Sequence, residues 1–336
     1  MSDTPTPSET SELRSSLDAA SKRRRRTGII AGAVAAAGLL VGGSIFAANA
    51  FTGGSSTAPA AGANAAEAEP TERLSVRIAT SEDKDFQTAI AEVAKEKGLD
   101  VEWVNLADWV LPNTELAAGS VDANAFQHIL YLSNFNVQND ENLTPVFSTV
   151  ITQWGIFSPT LGSLDELEEG ARIAIPEDPS NGGRALFILE SAGLIEIADD
   201  SGEFPTADDI TDNPLGLELV AIQATTIPQQ FNDPSLSAVV VGTSYFDPSQ
   251  GITSEDALFL DNSLDEANLP YINVIATRDE NKDDPAWEIL REAYDDPRVA
   301  EALQAESFGA TTLVKVPVET LRDKLVDLEE LARQNL

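Results

Sequence analysis

"ARIAIPEDPSNGGRALFILESAGL", Ala171–Leu194, reads as a strand, a tight turn and a helix in immediate succession. The strand covers "ARIAIPE". A turn built of Asp, Pro, Ser, Asn and Gly follows, and "GRALFILESAG" forms a helix that stops at glycine. Ser180 or Asn181 is expected to cap this helix, with Gly182 and Gly183 leaving its first amides open to an approaching ligand. A helix amino terminus attracts anions, and Arg184 in the first turn adds a guanidinium that can hold a carboxylate through two bonds. The glycine spacing is not that of a phosphate loop. A plain capped helix with a surface arginine is the alternative reading, and the residues alone leave it open.

The same alternation runs outward in both directions. Before it, "LSVRIAT" is a strand, "DFQTAIAEVAKEKG" a helix with Phe86, Ile90, Val93 and Ala94 on one face and Gly98 as its stop, and "DVEWVNL" a second strand. "WVLPNTELAAG" is a short helix interrupted by Pro112. A short strand around Val121, a helix starting near Gln127 and the strand "VITQWGIFS" follow. After it come the strands "LELVAI", "SAVVVG" and "LPYINVIATR", then the helices "DPAWEILREAY" and "PRVAEALQAESFG". Strands alternating with helices imply an α/β fold of parallel sheets covered by helices. Two such units predict two lobes with a ligand cleft between them. The expected limits are 73–152 for the first lobe, 153–278 for the second, and 279–336 for a return to the first with an added helix. That last helix shows Val318, Leu321, Leu325 and Leu328 on one face, suited to packing on the first lobe.

Composition narrows the chemistry. Of 336 residues none is cysteine and one is histidine, which excludes disulfides, thiol nucleophiles and zinc sites built of several imidazoles. No metal site and no cofactor are expected. Residues 1–50 carry six of the 21 basic residues and four of the 56 acidic ones, so the remainder has a net charge of −37. Such a surface repels nucleic acid and anionic lipid.

The amino terminus sets the compartment. Lys22 and Arg23–Arg26 precede an uncharged run from Thr27 to Phe51. About 20 apolar residues suffice to span a bilayer as a helix, and the basic cluster is expected to stay cytoplasmic with the rest outside. Residues 1–26 thus read as a cytoplasmic tail and 27–51 as a transmembrane anchor. A signal segment cut after Ala50, which would release the body, is the alternative. Small residues and proline from 52 to 72 form a tether.

His128, in "SVDANAFQHILYL", lies three residues before Tyr131, so both can face one side. Phe126, and Trp109 in "ADWVLPN", add aromatic surface suited to an apolar ligand tail or thioether; ordinary core packing is the competing reading.

At this point the residues resemble a family. "DWVLPNTELAAGSVDANAFQH", "IPEDPSNGGRALFILESAGLI" and "LPYINVIATRDENKDDPA" are similar to the methionine-binding lipoproteins of bacterial ABC importers, the NlpA type, from about Ser75 to Gly309. The resemblance implies a two-lobed periplasmic binding protein fold (type II). It further implies capture of methionine or a close amino acid between the lobes, with delivery to a permease driven by an ATPase. Carried over residue by residue, it implies a ligand site of Trp109, Phe126, His128, Tyr131, Asn181 and Arg184, with Arg184 on the carboxylate and the aromatics around the side chain. Three positions depart from the family pattern. Gly242 stands where an asparagine helps hold the ligand's polar end, Gln229 replaces an arginine, and the lipid-bearing cysteine is missing.

Two other functions compete. A hydrolase using serine with His128 lacks the G-x-S-x-G elbow and a carboxylate placed to orient the histidine, so the chain is not expected to be an enzyme. A membrane-tethered sensor would keep the same cleft.

Overall fold

The computed structural model describes residues 73–262 and 266–334. The basic tail, the apolar run 27–51 and the tether lie outside the described residues. Among the described residues no helix is long and apolar enough to cross a membrane.

β1 (Leu74–Thr80) leads into α1 (Asp85–Glu96), which buries Ile90, Val93 and Ala94. Gly98 follows at φ +98°, a left-handed conformation that glycine adopts without penalty. β2 (Leu99–Asn105) pairs parallel with β1 in full register. α2 (Leu111–Ala117) carries Pro112 in its first turn. The proline therefore starts this helix and does not interrupt it, because an amide there would have no helical partner. β3 (Ala123–Asn124), α3 (Ile129–Asn139) and β4 (Leu143–Ser148) complete this part.

The stretch 150–158, expected to be one strand, is two. β5 (Val150–Thr152) and β6 (Trp154–Phe157) join different sheets, with the break at Gln153. The second sheet then gathers β7 (Arg172–Pro176), which feeds α4 (Pro179–Ser191). A small antiparallel pair, β8 (Glu196–Ile197) with β9 (Ile210–Asp212), precedes β10 (Glu218–Ile222), the one-turn α5 (Ile227–Gln230), β11 (Ala238–Gly242) and β12 (Ala257–Leu260). Its order is β10-β7-β11-β6-β12. β10, β7 and β11 run parallel, and β6 runs against both β11 and β12.

β13 (Val274–Arg278) returns to the first sheet, ordered β2-β1-β3-β13-β4, where it runs antiparallel to β3 and β4. The expected boundary at residue 278 is therefore corrected. Hydrogen bonding places β13 in the first lobe, so the crossing is complete before Val274. α6 (Ala286–Tyr294), α7 (Pro297–Ser307), β14 (Thr311–Leu313) and α8 (Val318–Gln334) end the chain. β14 pairs with β5. The two crossing segments bond to each other, Thr149 N–H to Asn273 O and Asn273 N–H to Val150 O, each at 2.8 Å.

Each lobe has its own core. Ile78, Val93, Ile275 and Leu290 share a cluster on the first sheet, and Ile156, Ile173, Leu186 and Leu189 share one on the second. α8 lies against α3 and β4, with Leu321, Leu325 and Leu328 in a cluster that also holds Leu130 and Phe135. Phe204, from the loop between β8 and β9, enters that same cluster, and Glu203 beside it bonds Lys324 at 2.9 Å. The second lobe thus leans on the carboxyl-terminal helix.

Candidate functional site

His128 stands where the lobes meet. It is the residue that caps α3, its Nδ1 accepting the Tyr131 N–H at 3.1 Å. That bond leaves the ring proton on Nε2, which donates to Asn181 Oδ1 at 3.0 Å. The Asn181 amide donates onward to both Asp178 carboxylate oxygens, at 3.0 and 3.1 Å. Both imidazole nitrogens are therefore engaged by protein, one by its own helix and one by the opposite lobe. Burial pushes the His128 pKa down to about 3. The Arg184 charge acts in the same direction, and the bond to Asn181 acts against both. A neutral ring with no free nitrogen is a clasp and not a general base.

This clasp has a pH consequence. An exposed imidazole titrates near 6.5, so the unfolded chain takes up a proton that the native protein refuses. The histidine's contribution is complete above about pH 6.5 and is lost as pH falls from there toward 3. His128→Asn keeps a side-chain acceptor for the cap without this titration. Thermal melts between pH 7 and pH 4 should fall more steeply for the wild type than for this variant; parallel curves would refute the assignment.

The start of α4 differs from expectation. Asp178, not Ser180 or Asn181, is its cap, with Oδ1 accepting the Asn181 N–H at 3.0 Å and the Ser180 hydroxyl at 2.8 Å. The helix terminus already holds a carboxylate of its own. Gly182 and Gly183 are likewise required by packing and not by an approaching ligand. A Cβ on Gly182 would meet the Pro176 carbonyl oxygen at 2.9 Å, and one on Gly183 the Pro205 ring at 3.0 Å.

Arg184 points inward and is 3 % exposed. Its Nη2 donates to Asp261 Oδ2 at 2.6 Å and to the Thr152 carbonyl at 3.1 Å. The Trp154 and Tyr271 rings flank the guanidinium, with centroids 4.8 and 4.5 Å from Cζ. Its Nε, though buried, has no hydrogen-bond partner, and neither has the nearby Tyr271 hydroxyl. Buried polar atoms are nearly always satisfied. Two such orphans thus lie together, one on the guanidinium and one on a tyrosine packed against it.

The aromatic residues form a continuous wall. Phe126 meets Tyr131 edge-on at 5.8 Å, Tyr131 meets Trp109 at 6.4 Å, and Trp109 lies 5.3 Å from Tyr245 of the second lobe. His128 stands edge-on to Tyr131 and to Tyr271, at 6.2 and 5.5 Å. Of the six residues picked from the sequence, Trp109, Phe126, Tyr131, His128 and Asn181 touch one another in a chain, and Arg184 joins them through Tyr271. Beyond Phe126, Thr152 and Tyr245 a cavity of about 790 Å³ opens, lined also by Gln229, Lys84 and Glu82. Burial raises the Glu82 pKa, opposed by its Lys84 partner.

Four residues escaped the sequence reading. Trp154 was absorbed into a strand, Tyr271 into another, and Tyr245 and Asp261 carried no motif. Asp261 accepts the Trp154 N–H through Oδ1 at 3.0 Å while Oδ2 holds Arg184, which makes it the anchor of the guanidinium. Only the folded chain brings residues 154, 184 and 261 together.

Two αβ lobes joined by paired crossing segments, with a polar centre walled by aromatic rings where they meet, define a periplasmic binding protein. The chain belongs to the NlpA lipoprotein family, whose model matches residues 74–315. It is 36 % identical over 230 residues to the D-methionine-binding lipoprotein MetQ of Salmonella typhimurium, covering 68 % of this chain and 83 % of that one. Lipoprotein 28 of Escherichia coli K12 is 32 % identical over 232 residues, covering 69 % and 84 %. Among solved structures, the methionine-binding protein MetQ aligns with a TM-score of 0.67 at 33 % identity, over 72 % of this chain and 99 % of that one. A nutrient-binding protein of Burkholderia cenocepacia bound to methionine aligns with a TM-score of 0.66 at 32 % identity, over 71 % and 99 %.

Proposed function

We propose that this protein is the substrate-binding component of an ABC importer, holding methionine or a close amino acid between its lobes for delivery to a permease and its ATPase. One observation carries the reading. Arg184 is buried, held by Asp261 and Thr152 and flanked by the Trp154 and Tyr271 rings, and its Nε has no hydrogen-bond partner. A guanidinium edge of this kind suits a carboxylate, and the wall of Trp109, Phe126, Tyr131 and Tyr245 suits a thioether. The names of the relatives support methionine as cargo. The reading places the body outside the cytoplasm, as the relatives' name of lipoprotein supports. In this reading the run 27–51 is the membrane anchor of a chain without cysteine, and 52–72 the tether.

Isothermal titration of the described body with D- and L-methionine and a panel of other amino acids tests this. Saturable one-to-one binding, with methionine recovered unchanged, is the expected result. No heat with either methionine enantiomer would defeat the proposal.

A further inference from the structure

Gly242 closes β11 directly opposite Trp154 of β6. Its backbone, φ −67° and ψ 134°, is one that any residue adopts, so the glycine is not there for conformation. It is there for space. A Cβ at this position would lie 2.7 Å from Tyr245 Cε2 and 2.8 Å from Trp154 Nε1. Two aromatic rings occupy the volume into which a longer side chain at 242 would project, the position where the family pattern has asparagine.

Trp154 is tied to the guanidinium in three ways. Its ring packs on Arg184. Its backbone N–H donates to Asp261 Oδ1, and its carbonyl accepts the Asp261 N–H at 2.8 Å. The residue is 2 % exposed, but its indole nitrogen is not among the sealed-off polar atoms: no described residue accepts its N–H, which stays open to solvent. An indole N–H only donates, so this open donor is available to an acceptor atom brought by a ligand. Arg184, on which the ring packs, also carries an unpaired Nε, so two donors without partners belong to residues in direct contact.

We propose that Trp154 is a ligand-recognition residue, its Nε1–H donating to a carboxylate oxygen of the bound amino acid, and that Gly242 is the space this indole requires. The inference rests on the binding site proposed above and adds to it a donor in the place of a side-chain amide. Recognition of the ligand's polar end passes from residue 242 to its cross-strand neighbour. Glycine and tryptophan then form one unit, neither of which can change alone.

Trp154→Phe keeps an aromatic ring beside Arg184 and removes the donor together with part of the indole's bulk. A hydrogen bond to a charged group accounts for roughly ten- to a hundredfold in affinity. Titration with L-methionine should therefore show Kd raised at least about tenfold in a variant that still melts cooperatively. Gly242→Ala, which drives a methyl group against both rings, should weaken binding to a similar extent. As a readout that packing alone would not move, the indole N–H resonances of the four tryptophans can be followed by ¹⁵N NMR. The resonance lost in Trp154→Phe should shift downfield when methionine saturates the wild type. Unchanged affinity in Trp154→Phe, or an indole resonance that stays in place, overturns the role of Trp154 while leaving methionine binding intact. A wild type that binds no methionine overturns both readings.

Discussion

Arg184→Ala is expected to raise the Kd for methionine by at least about a hundredfold. The size of the effect follows from burial. Removing one partner of a buried ion pair is severe, about 3–5 kcal/mol, because the other charge is left without compensation. Here two carboxylates would lose the same guanidinium, the ligand's and that of Asp261, which is 10 % exposed and bonded to Arg184 at 2.6 Å. Part of the loss could arise from damage to the fold, so a second variant separates the two. Arg184→Met combined with Asp261→Asn removes both charges at similar volume, a replacement that buried pairs often tolerate. This double variant should melt near the wild-type midpoint and still fail to bind. Retained binding in a folded Arg184 variant would move the ligand's carboxylate elsewhere in the cleft.

What could be read from the chain beforehand was local. Strand and helix alternation gave the α/β class and two lobes, because hydrophobic period is written in consecutive residues. The six candidate residues came from contiguous motifs, and the fold brings five of them into one chain of contacts, with Arg184 joined through Tyr271. What escaped depends on pairing. Nothing in "VITQWGIFS" says that Gln153 divides two sheets, and only β13's pairing with β3 and β4 shows where the chain returns. Asp178 outcompeted Ser180 and Asn181 as cap because the helix begins one turn earlier than its apolar pattern does. Asp261 is 77 residues from Arg184 in sequence, and no local pattern joins them. His128 illustrates both sides. Its place in the site was legible from its neighbours. The use of both ring nitrogens, and hence its neutrality, required the opposite lobe.

The second large effect concerns α8, which lies beyond the residues 74–315 that match the family. Leu321 and Leu328 on its inner face are fully buried, whereas Val326 is 61 % exposed. Leu→Ala at a packed position removes apolar contact and leaves a cavity, together about 2–5 kcal/mol. Against a net stability of roughly 5–15 kcal/mol for a domain, either change is a substantial fraction. The two positions are seven residues apart, about 10 Å along the axis, far enough for their effects to add approximately. Urea unfolding followed by circular dichroism should show lowered midpoints for Leu321→Ala and Leu328→Ala, a larger drop for the pair, and almost none for Val326→Ala. Shifts of less than about 1 kcal/mol at both leucines would mean that α8 is an appendage. Because Glu203 and Phe204 of the second lobe rest on this helix and its cluster, the inner-face variants should also weaken methionine binding. Pro205, next in sequence, packs on Gly183, one residue before Arg184. Loosening α8 therefore loosens the support of α4, which carries Arg184 of the proposed site, and affinity should fall with stability at Leu328 but not at Val326.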